Sequence, residues 1–173
     1  MLSKRLQEAL NAQINAEYYS SYLYLAMAAY ADSVNLKGFA NWFRVQNQEE
    51  MVHVQKFFTF VVDRRGHVEL GAIEAPPSSW ESPLAVFEAT MKHEQHVTSL
   101  INALTDLARD EHDNATLALL QWFINEQVEE EAAADAIVQN LKLIGNEPSG
   151  LYLLDRDLAT RTFVPPPAAG SAV

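Results

Sequence analysis

Apolar residues recur at alternating steps of three and four along most of this chain, the spacing of one helix face. Four long segments carry the pattern, from about Ser3 to Tyr30, Lys37 to Arg65, Pro83 to Glu111 and Asn114 to Ile144. Start and stop signals agree with these limits. Ser3 and Ser82 are N-cap candidates, Pro83 suits a first helical turn, and Gly66 and Gly145 stand where helices should end. The stretch SGLYLLDRDLATR (149–161) predicts a short fifth helix. At roughly 28–30 residues, each long helix measures about 42–45 Å, well above the usual length. Four helices of equal length predict an all-α four-helix bundle.

The connectors set the topology. Residues 31–36 and 112–113 are short links, so each joins an antiparallel pair. HVELGAIEAPPSSWES (67–82) has sixteen residues, two prolines and few helix signals. Extended at about 3.3 Å per residue it spans about 50 Å, a full helix length. It can therefore carry the chain to the other end of the bundle, giving one long crossover. Residues 1–163 are expected to form one domain, and VPPPAAGSAV (164–173) a flexible tail.

The bundle-facing stripes are not purely apolar. They read Leu6, Leu10, Gln13, Glu17, Ser21, Tyr24, Ala28 on the first helix and Phe39, Phe43, Gln46, Glu50, His53, Phe57, Phe60 on the second. On the third they read Leu84, Phe87, Met91, Glu94, Thr98, Ile101, Thr105, Ala108. On the fourth they read Leu120, Phe123, Gln127, Glu130, Ala134, Ile137, Leu141. Glu17, Glu50, Glu94 and Glu130 each lie within about one turn of their helix midpoint. They should share one level of the bundle whichever way each helix runs. His53 follows Glu50 by one turn and points the same way; Gln127 precedes Glu130 by the same offset. A buried, unpaired carboxylate costs several kcal/mol. Four at one depth would repel, and multivalent cations relieve this better than protons do. Four carboxylates and one imidazole suit iron or manganese, with zinc also compatible, and can bridge two metals about 3.5–4 Å apart. Glu49, Glu126 and Glu129 flank this set and suggest a further cation site.

Composition narrows the chemistry. No cysteine is present, which removes disulfides, thiolate metal sites and iron–sulfur clusters. The formal net charge is −11, with no basic stripe of the kind nucleic acids require. No uncharged run is long enough to span a bilayer, and the first residues read as helix rather than as a signal peptide. An intracellular, cytoplasmic protein without nucleic-acid or membrane partners is expected. His93 and His96 are read as surface residues, since the His-x-x-His spacing of HEQH (93–96) is wrong for a zinc-protease helix.

These residues, in this order, resemble the ferritins, specifically the non-haem prokaryotic branch. The resemblance is carried by LNAQINAEYYSSYLYLAMA (10–28), GFANWFRVQNQEEMVH (38–53), SPLAVFEATMKHEQ (82–95), LQWFINEQVEEE (120–131) and GLYLLDRDL (150–158). It implies iron storage through a ferroxidase centre that oxidises Fe(II) with oxygen or peroxide. In ferritins like this, Glu17, Glu50 and His53 would hold the first iron. Glu50, Glu94 and Glu130 would hold the second, with Glu50 bridging, Gln127 close by and Tyr24 a nearby source of an electron. Glu49, Glu126, Glu129 and Glu130 match a third iron site. The implied assembly is a hollow shell of 24 subunits storing ferric mineral. Met51 matches the haem-ligating position of bacterioferritins, but Gln127-x-x-Glu130 replaces their second Glu-x-x-His, so haem is not expected. GFANWFRVQ (38–46) is especially similar to an archaeal ferritin with a tetrahedral shell, so octahedral symmetry is not assured.

Overall fold

The structure is a computed structural model whose described residues are 2–165. The expected tail therefore falls mostly outside them. Five helices make up the fold: α1 (Lys4–Ser33), α2 (Lys37–Asp63), α3 (Pro83–Asp110), α4 (Asn114–Ile144) and α5 (Pro148–Leu158). No strand occurs among the described residues. Sequence chemistry fixes most of the ends. The side chains of Ser3, Ser82 and Asp113 accept hydrogen bonds from the backbone N–H of Leu6, Ala85 and Thr116, satisfying donors that the first turn leaves free. Gly145 closes α4 with φ at 58°, a conformation costly for other residues. Gly66 behaves differently. The left-handed turn after α2 falls on Arg65, at φ 59°. At Gly66 a Cβ would sit 2.9 Å from Val61 Cγ1, so close approach, not backbone freedom, selects glycine there.

α1 pairs with α2 and α3 with α4, each through a three-residue link, residues 34–36 and 111–113. The segment between α2 and α3 is the expected crossover, and its contacts trace the route. Asn11 Nδ2 donates to the His67 carbonyl at 3.0 Å, and Asn15 Nδ2 to the Ala72 carbonyl at 3.1 Å. Trp80 then packs edge-on against Tyr30, ring centroids 5.4 Å apart. The strap thus climbs α1 from its first third to its last turn.

α5 lies across the start of α2. Asp155 Oδ1 accepts the backbone N–H groups of Gly38 and Phe39 at 2.8 and 3.1 Å, so α5 caps α2. A Cβ on Gly38 would fall 1.6 Å from the Asp155 carbonyl oxygen, which makes glycine obligatory for this docking. The stripes pack into two apolar clusters. One contains Tyr24, Met27, Phe39, Phe43, Phe87, Ile137 and Leu141, and it takes in Leu154 and Leu158 of α5. The other contains Leu6, Ile14, Val54, Phe57, Ile101, Leu120 and Phe123. On every long helix a glutamate falls between them: Glu17, Glu50, Glu94 and Glu130. Burying each large apolar side chain contributes about 1.5–3 kcal/mol, so the two clusters can hold a polar layer between them.

Candidate metal centre

All four midpoint glutamates and His53 are buried. Glu17, Glu50 and His53 place one ligand atom each within 4.8 Å of one another. His53 Nδ1 lies 3.1 Å from Glu50 Oε2 and 3.8 Å from Glu17 Oε2. In a second group, His53, Glu126 and Glu130 also bring ligand atoms within 4.8 Å of one another, sharing the imidazole with the first. Glu94 belongs to neither group. It is held by hydrogen bonds, from the Tyr24 hydroxyl and from Gln127 Nε2 at 3.1 Å. Gln127 Nε2 also reaches the Glu94 carbonyl at 3.2 Å and Thr98 Oγ1 at 3.3 Å.

Two roles were not legible from composition or spacing. Gln13 Nε2 donates to Glu17 Oε1 at 2.9 Å, and Gln46 Nε2 donates to Glu130 Oε2 at 2.7 Å. Both glutamines sit on the buried stripes, one turn before a glutamate, and that position was the only available signal. Together with Tyr24 and Gln127 they orient three of the four carboxylates and leave oxygens free. Glu17 Oε2 is buried with no hydrogen-bond partner. An orphaned anionic oxygen beside an imidazole and a second carboxylate fits a cation. The ring of His53 stands edge-on to Trp122 and Phe123, at 5.4 and 5.6 Å, which fixes the direction of its nitrogens.

Electrostatics show the cost of this crowding without a metal. Burial pushes Glu50 well above the carboxylate range, with repulsion from Glu17 and Glu94 adding to it and His53 opposing. Burial, with repulsion from Glu130, raises Glu94 to about 7, against the bonds from Tyr24 and Gln127. Burial also works to lower His53, but Glu50 and Glu17 overcome it and hold the imidazole well above its usual value. Glu17 is lowered, because His53 and Gln13 outweigh its burial. Tyr24 is raised well above 10, by burial and then by Glu94 and Glu50. Burial and mutual repulsion thus favour the protonated forms of Glu50 and Glu94, while His53 and Gln13 favour the ionised form of Glu17.

The flanking acids divide. Glu49, Glu126, Glu129 and Glu130 line one cavity of about 420 Å³ together with His53 and Arg161. Glu126 joins Glu130 and His53, whereas Glu129 is exposed and in neither close group. Glu49 is bound by Arg161, whose Nη2 donates to Glu49 Oε2 at 2.6 Å. Met51 is on the exterior, 37% exposed. His96 is exposed as expected, whereas His93 is half-buried. Its Nε2 lies 2.8 Å from Ser20 Oγ and its ring meets Tyr24 edge-on, while burial lowers its pKa to about 4. One face of α3 is simply wider than the stripe drawn from steps of three and four: Thr90 and Val97 are buried too, and Met91 is only half-buried.

A polar layer of carboxylates and one imidazole, held between apolar clusters of a bundle with one crossover, defines a ferritin-like protein. Residues 7–144 match the family model of the ferritin-like domain. A bacterial non-heme ferritin of Staphylococcus aureus (strain MRSA252) is 44% identical over 163 residues, covering 94% of this chain and 98% of the relative. One from Bacteroides fragilis (strain 638R) is 42% identical over 161 residues, 93% of this chain and all of the relative. A solved open-pore ferritin of Archaeoglobus fulgidus superposes with a TM-score of 0.93 at 54% identity, over 94% of this chain and 100% of that one. The chain belongs to the ferritin family of iron-storage proteins.

Proposed function

We propose that this chain stores iron as a ferroxidase. It binds two Fe(II) ions among Glu17, Glu50, His53, Glu94 and Glu130, oxidises them, and passes ferric iron into the interior of a hollow shell of identical subunits. The observation that carries the reading is the buried layer of four carboxylates, one from each long helix, with His53 shared between two close ligand groups. Glu17, Glu50 and His53 take one ion. Glu94 and Glu130 take the other, with Glu50 between the two; Glu126 extends the second group toward the cavity.

Two substrate ions side by side give up one electron each. Oxygen then accepts a pair and, with two protons, leaves as hydrogen peroxide, so superoxide is avoided; peroxide can serve as the oxidant in turn. Carboxylate oxygens favour the harder, more highly charged Fe(III), which assists the electron loss. Tyr24 donates its hydroxyl to Glu94 and holds that carboxylate in place. Gln127 orients Glu94 through its amide and is a positioning residue. The third cation position uses Glu49, Glu126, Glu129 and Glu130, on the cavity through which iron leaves the centre.

Assembly is supported by exposed apolar side chains, among them Tyr22, Leu25, Val62, Leu70 and Ile73, which copies of the chain would cover. A shell of 24 subunits is proposed, and the likeness to an open-pore archaeal ferritin supports packing that leaves pores open. Among the described residues, no helix is long and apolar enough to cross a membrane, and a cytoplasmic site of action is proposed.

Glu50→Ala tests the assignment. Stopped-flow oxidation of two Fe(II) per subunit should slow by about 10²-fold or more, as for loss of a group acting directly on the reacting centre. Unchanged rapid oxidation would remove Glu50 from the site.

A further inference from the structure

The cavity beside the centre already holds a cation of the protein's own. α5 ends at Leu158, and three residues later Arg161 turns back onto α2. Asn41 fixes this return: its Nδ2 donates to the carbonyls of Leu158, Ala159 and Arg161, at 3.2, 3.4 and 2.9 Å. The guanidinium then lies 4.7 Å over the Trp42 ring and donates from Nη2 to Glu49. Its Nη1 is buried with no partner, so only part of the fork is used. Glu49 is one of the acids lining the mouth of the centre, with Glu126, Glu129 and Glu130.

We propose that Arg161 is a tethered cation that competes with an incoming divalent metal for Glu49, so that the third cation position fills only when metal displaces the guanidinium. The inference rests on the di-iron reading above, since the third position matters only beside that centre. A carboxylate oxygen engaged in a charge-assisted hydrogen bond has surrendered lone-pair density and net charge that a metal would use. A metal that takes Glu49 Oε2 must therefore displace the guanidinium as part of the binding reaction. The tether keeps its effective concentration high, because Asn41 fixes the backbone at Arg161 and the Trp42 ring lies under the guanidinium, both without any help from a metal. The unfilled Nη1 makes the hold incomplete, so a doubly charged ion can win. Arg161 thereby sets a threshold: two cations bind first, and a third binds once metal is abundant.

The experiment is calorimetric titration of the full-length, metal-free assembly with Zn(II), a redox-inert probe. The wild type should show two tighter sites per subunit and a weaker third. Arg161→Gln should tighten the third about tenfold, the scale of one hydrogen bond to a charged group, and leave the other two unchanged. Glu49→Gln should remove the third site and cancel the effect of Arg161→Gln. Arg161→Lys, which keeps the charge but loses the fork, should give a smaller tightening and stands in if the neutral variant does not assemble. Equal third-site affinity in the wild type and both Arg161 variants would overturn the proposal. So would an Arg161→Gln effect that survives in the Glu49→Gln background, or the lack of any third site in wild type and variant alike. Loss of the two tighter sites in the wild type would instead overturn the di-iron reading, and this inference with it.

Discussion

At the scale of single residues, the centre is a crowded set of charges whose protonation burial and close neighbours control. Glu50 and Glu94 are held up by burial and mutual repulsion, and His53 is held up by the carboxylates around it. A group must lose its proton before it can ligate. The sign follows: below about pH 7 Glu94 keeps its proton and opposes metal, and above it the carboxylate is ready. Zn(II) affinity should therefore rise from pH 6 to pH 8, by about tenfold per pH unit for each proton released. Calorimetry in buffers of different ionisation enthalpy counts those protons directly; an affinity flat across this range contradicts the assigned environment. Glu94 also links the stability of the fold to pH. Its pKa is raised above that of the unfolded chain, so its protonated form favours folding, and that contribution fades as pH climbs through about 7.

At the scale of elements, α5 has a specific seat, and Gly38 is the residue that permits it. Gly38→Ala would place a methyl 1.6 Å from the Asp155 carbonyl, so α5 must move. Overpacking of this kind costs about 1–3 kcal/mol, and thermal unfolding should show it as a lowered midpoint, with proteolysis after Leu158 accelerated. A variant as stable and as resistant as the wild type would mean α5 is not seated there. The long helices were legible because periodicity, caps and glycine or proline punctuation agreed: α4 runs over Asn114–Ile144 as read, and the other ends shift by only a few residues. The crossover was legible from its length alone. Glu17, Glu50, Glu94 and Glu130 could be placed in one layer because helix midpoints coincide in any bundle of equal helices. What sequence could not supply was partners far apart in the chain. Arg161 and Glu49 are separated by 112 positions, and Asp155 and Gly38 by 117, with no periodicity connecting them. His93 is more covered than the stripe suggests for a related reason: it lies at the edge of the wide buried face of α3, half-buried against Ser20 and Tyr24.

At the scale of the molecule, two apolar clusters enclose a polar layer, and a cavity opens beside it. The cavity lined by Glu126, Glu129 and Glu130 joins the layer to the surface on one side. The excess of acidic over basic residues, 23 against 12, gives cations a favourable field. Exposed apolar side chains such as Leu25 and Leu143 call for neighbours, and assembly is what separates a store from a simple oxidase. The most direct measurement is aerobic Fe(II) loading of the purified metal-free protein, following oxidation and then sizing the iron-containing product. Storage requires fast oxidation of a few irons per subunit, followed by growth of a soluble ferric mineral inside a shell of constant outer size. Oxidation that stops at about two irons per subunit, on a small oligomer, would contradict storage and leave only a di-iron redox site.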